Sequence, residues 1–173
     1  MSDNIKVLIS ETEVEAKIKQ LAEQINEDYA GKEVHLICVL KGGVFFTCDL
    51  AKSITVPVTF DFMSVSSYGD GTESTGRIKI IKDLDDSIAG KDVLIVEDII
   101  DSGRTLSHLI DLLYTRKPNS IKLCTLLDKP SRRVTDVKVD YLGFSIPDEF
   151  VVGYGLDYAQ KYRNLPYIGV VSL

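Results

Sequence analysis

The stretch VLIVEDIIDSGRT, Val93–Thr105, decides the fold. Four apolar residues, Val93 to Val96, meet two adjacent carboxylates, Glu97 and Asp98, and a turn from Asp101 to Thr105 leads into a helix. The apolar run reads as a strand buried on both faces, as in a parallel sheet. Leu106, Leu109, Ile110 and Leu113 then recur at helical spacing until the chain nears Pro118. In an open parallel sheet, ligands gather at the carboxyl ends of strands, where helices begin. The first N–H groups of a helix have no intrahelical partner and carry partial positive charge, so this junction suits a phosphate. Gly103 permits a positive φ and lets the backbone approach an anion. Ser102 and Thr105 add hydroxyl donors, and Arg104 adds its backbone N–H.

Two carboxylates beside a phosphate would repel it. Unit charges about 4 Å apart interact by roughly 4 kcal/mol at an effective dielectric near 20. Glu97 and Asp98 therefore suit sugar hydroxyls or a divalent cation, magnesium above all. An acidic pair after a strand is often only a solvated turn; its junction with D-S-G-R-T at a strand-to-helix transition is what favours a site.

Outward from this stretch, strand and helix signals alternate, which specifies an α/β fold around a central, mostly parallel sheet flanked by helices. Ser10 and Glu13 form a capping-box pattern, and Val14, Ile18, Leu21 and Ile25 recur at helical spacing up to a stop at Gly31. EVHLICVL, Glu33–Leu40, is a second doubly buried strand, broken by Gly42-Gly43 before a helix from about Val44 to Ser53. Val56–Val65 and Ile78–Ile81 read as strands around SSYGDGTESTGR, Ser66–Arg77, a polar loop with almost no aliphatic residues. Ile121–Leu127 is another buried strand. Beyond Lys129, the segments YLGFSIP, FVVGYG and YIGVVSL are punctuated by Gly and Pro. They predict a small hood subdomain from about 129–173, completed by the N-terminal segment, within one domain spanning 1–173.

The chain has 173 residues, a net charge of −6, 45% hydrophobic and 27% charged residues, enough for a substantial core. Its acidity, with no basic run denser than Lys129 and Arg132-Arg133, disfavours nucleic acid, which is bound through Lys and Arg. Cys38, Cys48 and Cys124 lack metal-ligand spacing and point to a reducing compartment. Neither a signal peptide nor a membrane span is legible, so the cytoplasm is expected. His35 and His108 sit among no metal-like neighbours and read as structural.

These residues resemble the phosphoribosyl-diphosphate signature of the phosphoribosyltransferases. The likeness is nearest to the hypoxanthine-guanine members and extends from LKGG, Leu40–Gly43, through SSYGDGTESTG to FVVGYGLDYAQKYRNLPYIGV. It implies the type I phosphoribosyltransferase fold and a purine-salvage reaction. A free base, hypoxanthine or guanine, would take the ribosyl group of 5-phospho-α-D-ribosyl 1-diphosphate, giving IMP or GMP and pyrophosphate with Mg2+ as cofactor. The resemblance implies that Asp101, Ser102, Gly103, Arg104 and Thr105 cradle the 5′-phosphate, and that Asp101 is the acid/base group at purine N7. Glu97 and Asp98 would meet the ribose hydroxyls and magnesium, with Asp157 for a second ion. Lys41, Gly42 and Arg163 would bind pyrophosphate in a loop where the family often has a non-proline cis peptide. Ser67 and Tyr68 would form the lid, and Lys129, Phe150 and Val151 would read the base. A homodimer or homotetramer is implied by the resemblance alone.

One departure stands out: DKPSRR, Asp128–Arg133, is shorter and less basic than the run many relatives carry after the lysine. A xanthine-preferring transferase is therefore a same-class alternative. A non-catalytic RNA-binding regulator on the same fold is a second, opposed by the acidic charge. Neither G-x-x-x-x-G-K-[ST] nor a helix-opening G-x-G-x-x-G is present, which disfavours a Walker-type nucleotidase and a dehydrogenase.

Overall fold

The computed structural model describes residues 4–67 and 77–172. A first strand, β1 (Asn4–Ile9), leads into helix α1 (Glu11–Asp28). There Ser10 and Glu13 complete the capping box, and Val14, Ile18, Leu21, Ala22 and Ile25 are buried. Strand β2 (Val34–Val39) is buried at all six positions, and helix α2 (Val44–Ser53) follows. Next come β3 (Val58–Ser67), β4 (Ile78–Lys82), β5 (Asp92–Ile100), α3 (Arg104–Tyr114) and β6 (Ser120–Asp128). After a short 3-10 turn at Pro130–Arg132, the chain forms β7 (Tyr141–Ser145), β8 (Val151–Val152) and β9 (Ile168–Ser172).

Six strands form the main sheet in the order β4-β3-β2-β5-β6-β7. Pairing is parallel except at the β3–β4 edge. Alternation along these strands feeds two cores. Leu36, Leu94, Val96, Cys124 and Leu126 pack with the buried faces of α1 and α2. Ile37, Val93, Ile95 and Leu123 pack with Leu106, Leu109 and Leu113 of α3. Covered on both sides, the central strands carry apolar residues at successive positions. A separate antiparallel sheet, ordered β1-β9-β8, joins the two ends of the chain.

Two expectations from sequence change. Strand β5 does not stop at Val96: it continues to Ile100, with Glu97 paired to Thr125 and Ile99 to Leu127. Ile99 and Ile100 keep the ladder apolar beyond the acids, so the turn shrinks to Asp101–Gly103 and α3 begins at Arg104. The segment YLGFSIP, expected with the smaller unit, lies in the main sheet as β7, parallel to β6. Gly143 makes this possible, because a Cβ there would stand 2.3 Å from the carbonyl oxygen of Leu126. Cys38 and Cys124 are buried and Cys48 is exposed. His35 is buried with Nδ1 2.7 Å from the Thr59 hydroxyl, and His108 is exposed on α3. Among the described residues, no helix is long and apolar enough to cross a membrane.

Candidate active site

Parallel strands β2, β3, β5 and β6 all end on the same side of the sheet, and the segments leaving them converge there. Beyond β5 the chain turns through Asp101, Ser102 and Gly103 into α3, where Gly103 has φ 83° at the N-cap. Being glycine, it offers no side-chain oxygen to cap the helix. The turn is held from outside: the backbone N–H groups of Val134 and Thr135 both donate to the Ser102 carbonyl, at 3.0 and 3.1 Å. A Cβ on Gly103 would lie 2.6 Å from the Thr135 carbonyl oxygen. A cleft of about 150 Å³ opens here, lined by Val65, Glu97, Asp101, Ser102, Gly103 and Thr105 among others. A larger cleft of about 530 Å³ runs along the outer side of α3 past Tyr114, Lys122 and Asp136, and contains none of these residues.

Glu97 lines the cleft, and Asp98, the next residue of the strand, points to the opposite face. Burial, and then the neighbouring Asp98 charge, push the Glu97 carboxyl well above the usual carboxylate range. The Asp98 N–H donates to Glu97 Oε1 at 3.2 Å, and the Ile99 N–H donates to Asp98 Oδ1 at 2.7 Å. Asp98 also lies against the loop after β2: a Cβ on Gly42 would fall 1.8 Å from Asp98 Oδ2, so a side chain there would displace the carboxylate. The non-proline cis peptide in this loop is Leu40–Lys41. Among the described residues, no three His, Cys, Asp or Glu side chains form a ready metal cage. Magnesium, however, is usually held by one or two carboxylates together with substrate phosphates. The adjacent acids Glu97 and Asp98 fit that pattern.

The C-terminal loops close the other side. Gly155, at φ 101°, packs on the Gly42 carbonyl, where a Cβ would meet the oxygen at 2.0 Å. Arg163 donates to the Gly155 carbonyl at 2.6 Å and pairs with Asp157 at 3.3 Å. Lys41 Nζ reaches Gln160 Oε1 at 3.4 Å. Tyr154 donates its hydroxyl to Asp49 of α2, and burial with that carboxylate drives the phenol far upward. These contacts fasten the loop carrying Lys41 to the segment carrying Arg163.

Further along the same end, Lys129 is buried to 9% exposure and pairs with Asp148 at 3.6 Å. Its N–H donates to the Ile100 carbonyl at 3.0 Å, which ties it to the end of β5. Asp101 pairs with Arg132 at 3.0 Å, and Arg132 reaches Asp148 at 3.6 Å. Arg133 pairs with Asp128 and donates to the Asp101 carbonyl at 3.3 Å. Phe150 is 43% exposed, with Tyr158 edge-on at 5.5 Å between ring centroids. Val151 is buried in β8.

Residues far apart in the chain thus meet at one end of the sheet: Lys41 and Gly42, Glu97 and Asp98, Asp101 to Thr105, Lys129, and the Phe150–Arg163 segment. Ser67 ends β3 two residues beyond Val65 of the cleft, whereas Tyr68, the other expected lid residue, lies outside the described residues. Sequence reasoning missed Arg132, Asp148 and Gln160, which hold the expected side chains. Each is an ordinary polar residue on a loop, with a partner that becomes visible only in the fold. One end of the sheet thus gathers the glycine turn before α3, the acids Glu97 and Asp98, and the cations Lys41 and Arg163, which share Gln160.

A phosphoribosyl transferase domain model matches residues 8–159. The chain is 55% identical over 175 residues to the hypoxanthine phosphoribosyltransferase of Salmonella typhimurium strain LT2, covering 100% of this chain and 98% of that protein. It is 57% identical over 167 residues to the hypoxanthine-guanine phosphoribosyltransferase of Bacillus subtilis strain 168, covering 96% and 93%. A crystal structure of a hypoxanthine-guanine phosphoribosyltransferase from Bacillus anthracis, with a HEPES molecule in its active site, superposes with a TM-score of 0.94. The identity there is 54%, over 98% of this chain and 100% of that one.

Proposed function

Because the chain belongs to the phosphoribosyl transferase domain family, we propose that it is a purine-salvage enzyme acting on hypoxanthine, and on guanine. It transfers the ribosyl group of 5-phospho-α-D-ribosyl 1-diphosphate to the base, releasing pyrophosphate and giving IMP or GMP. The observation that carries this reading is the likeness to the Salmonella enzyme, 55% identical from end to end with no large gap in coverage.

The roles of the site residues are those the family resemblance implies, and their convergence at one end of the sheet supports them. Backbone and hydroxyl groups of Ser102, Gly103, Arg104 and Thr105 seat the 5′-phosphate at the start of α3. Glu97 and Asp98 hold the ribose hydroxyls and one magnesium ion, and Asp157 a second. Bound magnesium neutralises charge on the diphosphate. Gly42 supplies backbone at the pyrophosphate, while Lys41 and Arg163 supply positive charge where the leaving group accumulates negative charge. Lys129 donates to O6 of the base, which selects 6-oxopurines over 6-aminopurines. Phe150 stacks on the ring, and the Val151 backbone bonds its edge.

Asp101 accepts the proton at N7 as N9 attacks the anomeric carbon. In support, its carboxylate turns toward Arg132 rather than capping α3. Ser67 and Tyr68 close over the bound substrates and exclude water from the ribosyl cation. The β1-β9-β8 sheet and the loops around Phe150 serve as the hood of a single domain.

Three free thiols support a cytoplasmic setting, and the charge of −6 opposes a nucleic-acid partner. A homodimer or homotetramer is the assembly the family resemblance implies. Purified protein, magnesium and phosphoribosyl diphosphate, supplied with hypoxanthine, guanine, xanthine or adenine in turn, test the reading. Nucleotide is expected with hypoxanthine and guanine and not with adenine. A preference for xanthine would replace the substrate, and no nucleotide with any 6-oxopurine would overturn the reading.

A further inference from the structure

We infer that Gln160 is a positioning residue for the pyrophosphate subsite, holding Lys41 and Arg163 in place through one neutral oxygen. The inference rests on the transferase reading above. Gln160 Oε1 accepts from Lys41 Nζ at 3.4 Å and from Arg163 Nη2 at 3.3 Å. Two cations that must face one diphosphate repel each other before it arrives. A shared amide oxygen steadies both without cancelling either charge. Arg163 is also held by the Gly155 carbonyl at 2.6 Å and by Asp157 at 3.3 Å, and Asp157 takes the Gln160 N–H at 2.9 Å, so it fixes the backbone that presents the amide.

The backbone gives an independent reason to look at this residue. Tyr158 and Lys161 exchange both backbone hydrogen bonds, at 3.0 and 2.9 Å, around the two-residue turn Ala159-Gln160. Both turn residues have positive φ, 49° and 68°. That is the backbone of a type I′ turn, whose central positions strongly favour Asn and Gly. Tyr162, at 74°, extends the unusual conformation. Local propensity alone would put Asn or Gly at position 160, and strained non-glycine backbone concentrates at functional sites. A long amide side chain stands there instead, reaching two cations from distant parts of the chain.

Gln160→Asn separates the two demands. Asn suits the turn but is one methylene too short to bridge Lys41 and Arg163. The expected result is a melting temperature equal to wild type or about 2 °C higher, with KM for phosphoribosyl diphosphate raised about tenfold, the scale of one lost hydrogen bond to a charged group. KM for pyrophosphate in the reverse reaction should rise in parallel, and KM for the base should stay within about twofold. Gln160→Glu adds a charge that grips both cations, so it should also raise KM for phosphoribosyl diphosphate while holding or raising the melting temperature. Unchanged KM for phosphoribosyl diphosphate and pyrophosphate in both variants, in an enzyme whose wild type makes nucleotide, would overturn the inference and leave the transferase reading standing. A wild-type protein that makes no nucleotide would overturn both.

Discussion

Helices α1 and α3 begin in opposite ways. At α1, Ser10 Oγ accepts from the Glu13 N–H at 3.2 Å, and the Glu13 carboxylate accepts from the Ser10 N–H at 2.9 Å. Those donors are satisfied by the chain itself, and the start of that helix is a stability device. At α3 the N-cap is Gly103, which has no side chain to offer. Its turn is braced from behind by Val134 and Thr135, and its open side faces the cleft lined by Glu97 and Asp101. At α1 the first N–H groups are closed by the Ser10 and Glu13 side chains; at α3 the Arg104 N–H reaches Ser102 Oγ at 3.3 Å and the turn itself borders the cleft, on the positive end of the helix. Helix α2 also starts at a glycine without a side-chain cap, Gly43, so what sets α3 apart is the cleft beside its turn.

Substitutions at the two junctions should therefore separate turnover from stability. Asp101→Asn should reduce kcat by about 10² or more, the scale of acid/base catalysis. Its melting temperature should stay near wild type, because the pair with Arg132 is exposed and screened by solvent. Steady-state kinetics with hypoxanthine check this, and an unchanged rate would return Asp101 to a structural role. Gly103→Ala should damage both properties. A left-handed residue with a Cβ costs roughly 1–2 kcal/mol, and the new carbon would press on the Thr135 carbonyl. KM for phosphoribosyl diphosphate should rise about tenfold as the loop shifts, as measured beside a thermal melt.

Ser10→Ala is the converse. It should cost about 1 kcal/mol of stability, the usual value of an N-cap, and leave KM and kcat alone. A change in kinetics there would break the distinction between the two helix starts. The smallest effect belongs to the far end of α3, where Arg116 donates to both Asp83 oxygens at 2.7 and 2.9 Å. The Arg116 hydrogen bonds hold the Asp83 carboxyl below its ordinary range. A depressed carboxylate stabilises the fold above its unfolded pKa and loses that contribution as pH falls through the folded value. Arg116→Ala should therefore cost less than about 1 kcal/mol at neutral pH, and its deficit should shrink below about pH 4. A deficit that persists unchanged to pH 2 would assign the loss to packing.

Local signals were legible before the fold was known. The capping box at Ser10, the doubly buried strands around Ile37 and Ile95 and the turn glycine at Gly103 each show in residues adjacent in the sequence, although the turn is then braced from afar by Val134 and Thr135. What escaped depends on distance along the chain. The acids place the end of β5 at Val96, because charge usually marks a turn; pairing of Glu97 and Ile99 with β6 carries the ladder past them. The placement of β7 depends on Gly143 lying over Leu126. Gln160 looked like any loop amide until the fold brought Lys41, 119 residues away, to its oxygen. Arg132 and Asp148 were hidden for the same reason. The chemistry at the ends of the strands was readable, and the contacts that hold it in position were not.

The contrast between the two helix starts is tested most directly by backbone amide chemical shifts as phosphoribosyl diphosphate and magnesium are added. The amides of Gly103, Arg104, Thr105 and Leu106 should shift together and saturate, while those of Glu11, Thr12 and Glu13 stay still. Binding that moves the α1 amides and leaves those of α3 unchanged would contradict the assignment of the phosphate seat.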